Sequence, residues 1–137
     1  MEYSGCEKFE QITFRRHKQV CYIGLNNPER KNALSRIMIT ELHKAIAMTF
    51  QEVECRALVI SGENDLFCAG ADLDWMLEGK SQSREQNMSE AKLFFDLYEK
   101  LYNCPKVVIS VVKKYAFGGA LGLLACSDIV IAEDTAR

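Results

Sequence analysis

Residues 106–132 read KVVISVVKKYAFGGALGLLACSDIVIA, and this stretch decides the fold. Val107, Val108, Ile109, Val111 and Val112 form a short, mostly β-branched apolar run, the pattern of a strand buried on both faces of a parallel sheet. After a turn at KKYAFGG, the segment ALGLLAC reads as a helix and DIVIA as another strand. A strand, a helix and a second strand in that order make a crossover unit, and such units are right-handed and join parallel strands.

Working outward, Pro105 ends a helix whose buried stripe is Leu93, Phe94, Leu97 and Leu101, with Ser89 as its expected cap. The stretch Glu78–Asn87 is polar and rich in Ser and Gln, which predicts an exposed, mobile loop. Before it, LFCAGADLDWM (66–76) is a loop of small residues that follows the apolar strand RALVIS (56–61). Met38, Leu42, Ala45, Ile46 and Thr49 or Phe50 recur at helical spacing, with Asn32 or Ser35 as the N-cap. From Gln11 to Gly24, ITFRRH and QVCYIGL flank a polar turn at His17 and Lys18 and predict a hairpin, broken by Asn26, Asn27 and Pro28. The fold class is therefore α/β with parallel strands, and no linker or repeat divides residues 1–137, which form one domain.

Composition excludes several classes of function. At 48% hydrophobic and 26% charged, the 137 residues suit a globular domain, and a formal net charge of -2 offers no global attraction to nucleic acid or anionic membrane. The six cysteines (Cys6, Cys21, Cys55, Cys68, Cys104 and Cys126) show no CxxC spacing and no nearby histidine cluster, so no metal site and no disulfide framework are expected. Reduced thiols, the acidic opening MEYSGCEKFEQ and the shortness of every apolar run point to a cytoplasmic protein with no signal peptide and no membrane span.

The chemistry lies in the two loops of small residues, FCAGADL and YAFGGALG. Both follow buried strands, where open α/β sheets place their ligands. Gly118 and Gly119 let the main chain approach a ligand closely, and two backbone N–H groups that converge on one oxygen make an oxyanion hole for a thioester enolate. The spacing fits neither GxxxxGK[ST] nor GxGxxG, which disfavours the familiar modes of nucleotide-phosphate binding.

NPERKNALS (27–35), FCAGADL (67–73) and AFGGALGLLACSDIVIAEDTAR (116–137) together resemble the landmarks of the enoyl-CoA hydratase and isomerase (crotonase) superfamily. The GGALGL segment resembles its methylglutaconyl-CoA hydratase-like branch. The resemblance implies a crotonase-like spiral of repeated β-β-α units, of which this chain supplies roughly the N-terminal half. It implies that Ala71 and Gly119 donate their N–H groups to the thioester oxygen, with Gly118 beside them. Main-chain atoms of Ala69, Gly70, Ala71, Asp72, Leu73 and Asp74 would contact the CoA, flanked by Arg30, Lys31 and Ala33. Read as charges alone, Arg30 and Lys31 are a solvated pair at a helix start. The implied partners are an acyl-CoA thioester and further copies of the chain, in a trimer or hexamer. No separate cofactor is implied, because CoA is part of the substrate.

The sequence departs from that family in two places. Hydratases of the family use two glutamates as acid and base. Here the first position is Gly122, and the second would fall beyond Arg137. Hydration by the chain alone is therefore expected to be negligible, and the second reading is an acyl-CoA-binding or interaction module without turnover. Lys113-Lys114 stands where the family has Asn-Gly, and the two lysines are expected to distort the turn that aims Gly119. Asp128 reads as a turn or cap residue, Glu133 and Asp134 as solvated, His17 and His43 as structural, and Cys68 and Cys126 as small hydrophobes. Trp75, Met76 and Phe117 suit an acyl pocket or ordinary core packing equally well. A self-compartmentalising serine peptidase shares the spiral, but no histidine follows His43 to serve a nucleophile.

Overall fold

The chain folds around the hairpin that its alternating pattern predicts. In a computed structural model, which describes residues 7–137, strand β1 (Ile12–His17) pairs antiparallel with β2 (Val20–Leu25). Cys6 and the rest of the opening MEYSGC lie outside the described residues. His17 stands opposite Val20, so the turn is Lys18-Gln19 rather than His17-Lys18, with Lys18 at φ 52.

Helix α1 (Arg36–Gln51) begins at Ser35, whose hydroxyl accepts the Met38 N–H at 3.1 Å. The other cap candidate, Asn32, is fully buried, and its side chain donates to the Leu66 and Phe67 carbonyls at 3.1 and 3.2 Å. It therefore ties residues 27–35 to the first small-residue loop. Met38, Leu42, Ala45, Ile46 and Thr49 are buried as their spacing requires, and Ile39 joins them.

Strand β3 (Ala57–Gly62), helices α2 (Leu73–Glu78) and α3 (Arg84–Tyr102), strand β4 (Val107–Val112), helix α4 (Ala120–Ala125) and strand β5 (Ile129–Ala132) complete the described fold. The five strands form one sheet in the order β1-β2-β3-β4-β5, parallel throughout after the hairpin. With strand order following chain order, right-handed crossovers bring successive helices to the same face. On that face Ile23, Leu58, Ile60 and Val108 are buried.

Two expectations need correction. The apolar strands are not buried on both faces: Val107 is 45% exposed, and Ile129 and Ile131 of β5 are 47% and 55% exposed. The reason is that, among the described residues, no second layer covers the far side of the sheet or the free edge of β5. The segment 78–87 is also not a mobile loop. A short 3-10 turn at Gly79–Ser81 leads to Ser83, which caps α3 through a reciprocal capping box with Gln86, so Ser89 lies inside the helix. Its polarity reflects first turns that face water.

The lysine turn is built rather than distorted. Lys114 adopts φ 57, a conformation that costs an L residue about 1–2 kcal/mol. Its N–H reaches Glu133 Oε2 at 3.1 Å, its carbonyl accepts the Arg137 N–H at 2.8 Å, and Lys113 Nζ pairs with Asp65 at 2.9 Å. Glu133 is thus a turn partner and not merely solvated. Asp128 has the turn role expected of it, accepting the Val108 N–H at 2.8 Å. Among the described residues no helix is long and apolar enough to cross a membrane and no acidic, histidine or cysteine cluster could hold a metal. Cys21, Cys55, Cys68, Cys104 and Cys126 are all free.

Candidate active site

The three sequence landmarks meet beyond the C-terminal ends of β3 and β4. Gly70 O accepts the Leu34 N–H at 2.7 Å and Leu34 O accepts the Asp72 N–H at 3.1 Å, while the Ala69 N–H donates to Lys31 O at 3.1 Å. On its other side the loop runs parallel to the glycine segment: the Phe67, Cys68 and Phe117 N–H groups donate to Lys113 O, Tyr115 O and Cys68 O at 3.0, 3.2 and 3.2 Å. The first loop is therefore stitched between the other two. Gly70 makes this possible, because it adopts φ +97 and any Cβ there would lie 2.6 Å from the Phe117 carbonyl oxygen.

Among the described residues, the Ala71, Gly118 and Gly119 N–H groups of this weave meet no acceptor. The Ala69, Asp72 and Asp74 N–H groups are committed to the Lys31 carbonyl, the Leu34 carbonyl and Asp72 Oδ1, but those of Ala71 and Gly119 reach no acceptor. They line one gap. A Cβ on Gly119 would lie 3.6 Å from Ala71 N, and a Cβ on Gly70 would lie 3.4 Å from Gly119 N. Unpaired amides are rare away from water, and two that share a gap suit one anionic oxygen about 3 Å from each. Gly118 sits beside them at φ +51 with open space where a side chain would be.

Ala71 also stands where two cavities meet. One, of about 400 Å³, lies between residues 29–33 and 69–74 and includes Arg30, Lys31, Ala33, Ala69, Leu73 and Asp74 in its lining. The other, of about 320 Å³, is lined by Trp75, Met76, Ala91 and Phe94, with Glu90 as its charged group. Trp75 and Phe94 stack there with centroids 5.2 Å apart. Phe117 instead stacks on Tyr115 at 5.1 Å and is 49% exposed, away from this cavity.

The charged residues of the first cavity are unequal. Arg30 donates through Nε and Nη2 to both oxygens of Asp72 at 3.2 and 3.1 Å and also pairs with Asp74. Those two carboxylates raise the guanidinium pKa, Asp72 most of all, while Arg30 holds the Asp72 carboxyl below its ordinary value. Asp72 in turn caps α2, accepting the Asp74 and Trp75 N–H groups at 3.0 and 3.1 Å. Arg30 is accordingly a loop clamp already neutralised by two aspartates. Lys31, held at φ 52, is exposed and has no ion-pair partner among the described residues, so it is the cation left for an anionic ligand.

Glu90 is saturated in a similar way. It accepts from Trp75 Nε1 at 2.7 Å, from Gln82 Nε2 at 3.1 Å and from Arg36. Desolvation pushes its carboxyl up, but the Arg36, Gln82 and Trp75 hydrogen bonds outweigh this and hold it below the usual range. Burial pushes the Cys68 thiol up to about 11, which removes it as a nucleophile. His43 Nε2 lies 3.3 Å from Leu93 O and joins α1 to α3.

Sequence reasoning missed Tyr98. Its hydroxyl donates to the Gly119 carbonyl at 2.7 Å, and its ring packs over Gly122, where a Cβ would meet ring atoms at 2.5, 2.6 and 2.9 Å. Two signals were available: Phe94 and Tyr98 stand four residues apart on one helix face, and Gly122 is a glycine inside a helix.

Comparisons with known proteins identify the family and the fold. Residues 15–137 match the family model described as enoyl-CoA hydratase/isomerase. A bacillaene synthase dehydratase of Bacillus subtilis is 31% identical over 128 residues, which cover 93% of this chain and 49% of the relative. The human mitochondrial Delta(3,5)-Delta(2,4)-dienoyl-CoA isomerase is 30% identical over 120 residues, covering 82% of this chain and 37% of the relative. A crystal structure of an enoyl-CoA hydratase from Shewanella pealeana superposes with a TM-score of 0.91 at 32% identity, covering 94% of this chain and 49% of that one. The chain spans about half the length, or less, of these relatives.

Proposed function

Because the chain belongs to the enoyl-CoA hydratase/isomerase family, we propose that it binds an acyl-CoA thioester and holds the thioester oxygen between the N–H groups of Ala71 and Gly119. The observation that carries this reading is that these two amides are unmatched among the described residues and lie close together, and that Ala71 lines both cavities. The cavity beside Lys31 suits the CoA portion. The aromatic cavity beside Trp75 suits the acyl chain. Negative charge that develops on the oxygen as the α-carbon loses a proton, or as a nucleophile adds at the β-carbon, is then met by two fixed dipoles.

The acyl group we propose is short and uncharged. Methylglutaconyl-CoA carries a distal carboxylate, and Glu90, the charged group in this lining, is already paired with Arg36, so the cavity lining offers no free cation to receive it. Hydration, a lyase reaction, needs an acid and a base beyond the oxyanion hole. Gly122 offers neither, and Tyr98 fills the space beside it, which supports acyl-CoA binding and enolate stabilisation as the part this chain performs. The family reading further suggests a cytoplasmic homo-oligomer, and the apolar residues exposed on β5 support assembly.

The test is calorimetric titration with butyryl-CoA and with its thioether analogue, which lacks only the carbonyl oxygen. The thioester should bind about tenfold more tightly, the worth of one to two good hydrogen bonds. Equal affinities would remove the oxyanion role.

A further inference from the structure

We propose that Tyr98 is a positioning residue for the thioester site: its hydroxyl anchors the carbonyl of Gly119, and so the placement of the residue that supplies the second N–H, while its ring claims the space beside Gly122. The proposal rests on the oxyanion reading above. Two successive glycines form a permissive hinge, and a donor on that hinge is useful only if something holds it still. Gly118 is held only through its carbonyl, which accepts the Leu121 N–H at 3.0 Å, and the space where its side chain would stand is open.

Further braces lie on Gly119. Its carbonyl accepts from Tyr98 Oη at 2.7 Å and from the Gly122 N–H at 3.1 Å, and the next N–H, that of Ala120, returns to Phe117 O at 3.0 Å. Of these, only the Tyr98 bond comes from outside the glycine loop and its helix. Fixing the carbonyl holds the Cα of Gly119 from one side, while the peptide plane that carries the Gly119 N–H is held from the other by the Gly118 carbonyl, which accepts the Leu121 N–H at 3.0 Å. The ring that delivers the hydroxyl is itself held, tilted against Phe94 at 6.2 Å, and Phe94 stacks on Trp75. A chain of aromatic contacts thus runs from the acyl cavity to the oxyanion donor. Desolvation pushes the phenol up to about 12, so the hydroxyl stays protonated and remains a donor at neutral pH.

The test uses the whole chain, Tyr98→Phe, and acetoacetyl-CoA, whose enolate is read directly by its ultraviolet absorbance. The wild type should raise the enolate fraction of bound acetoacetyl-CoA. Tyr98→Phe should lose about tenfold of that enolate equilibrium, a fraction of the loss seen when an oxyanion donor is deleted outright. Affinity for CoA alone should stay within about twofold, because the CoA cavity does not touch Tyr98. Wild-type enolisation by Tyr98→Phe would overturn the proposal, as would parallel loss of CoA binding in a variant that still melts cooperatively. If Tyr98→Phe does not melt cooperatively, Tyr98→Met keeps the apolar volume without the hydroxyl, and the same pair of outcomes decides. A wild-type chain that leaves acetoacetyl-CoA unbound would refute the acyl-CoA reading itself, and the positioning role would fall with it.

Discussion

Gly122→Ala isolates the packing half of the Tyr98 argument. The added methyl carbon would stand 2.5, 2.6 and 2.9 Å from three ring atoms of Tyr98, whereas ordinary contact begins at 3.4 Å. Relieving that overlap means moving a ring held by Phe94 and by its own hydrogen bond. Overpacking of this kind costs about 1–3 kcal/mol. Loss of the hydroxyl bond to Gly119 adds about 0.5–1.5 kcal/mol. Replacing a helical glycine returns about 0.5–1 kcal/mol. The net expectation is a destabilisation of about 2 kcal/mol, or a fall in Tm of about 6–8 °C for a chain of this size. In a Tyr98→Ala background the methyl meets no ring, so Gly122→Ala should stabilise by about 0.5–1 kcal/mol. Urea unfolding of the wild type, both single variants and the double variant gives the coupling, expected at about 2–3 kcal/mol. Equal effects of Gly122→Ala in the two backgrounds, within about 0.5 kcal/mol, would show that the ring moves aside freely and that Gly122 is not a glycine on its account.

Asp72 makes stability depend on acid. Its folded pKa lies below the ordinary carboxylate value of 3.8, chiefly through the Arg30 hydrogen bonds, so its contribution is fully present above about pH 4 and is lost as pH falls through the folded value. The urea midpoint of the wild type should drop more steeply below about pH 4 than that of Asp72→Asn, and parallel acid limbs would refute the assignment. The exposed Ile129, Val130 and Ile131 of β5 form an apolar edge with unpaired backbone groups, so the chain should self-associate at micromolar concentration in analytical ultracentrifugation. A monodisperse, cooperatively melting monomer would show that this edge needs no cover.

The elements legible in the sequence were those whose burial is one-sided and local. The hairpin, α1 with its Ser35 cap, and the positions of β3 and β4 follow from periodicity and turn residues within a few positions of each other. The start of α3 was misread because polarity at 78–87 suggests a loop, although Ser83 and Gln86 carry the S-x-x-Q capping signal that overrides it. Burial of both faces was misread for β4 because a continuous apolar run states what the strand can pack against, while Val107 at 45% exposure depends on what actually lies there. The lysine turn escaped prediction because its partners, Glu133 and the Arg137 N–H, come from 19 to 23 residues away. Tyr98 left only local traces, its spacing from Phe94 and the helical Gly122, because the group it bonds, Gly119, is 21 residues away.

At the candidate site, the groups that bind and the groups that would move protons differ in how free they are. The amides of Ala71 and Gly119 are left open while most of the main chain around them is committed: Gly70 must be glycine for Phe117 O to approach, and that approach brings the two loops into register. The carboxylates are the reverse. Asp72 is held by Arg30, and Glu90 by Arg36, Gln82 and Trp75, and these hydrogen bonds keep both carboxyls below their ordinary values. Glu29 and Asp74, the other carboxylates in these linings, are exposed in the cavity assigned to CoA, away from the acyl cavity beside Trp75. A thioester bound here would have its carbonyl polarised and its enolate stabilised by residues already in place, while no lining carboxylate stands ready as a base. On the proposed reading, the residues of this site separate polarisation of a thioester, which fixed amides would supply without any change of charge, from proton transfer, for which Asp72 and Glu90 are held as carboxylates by their partners.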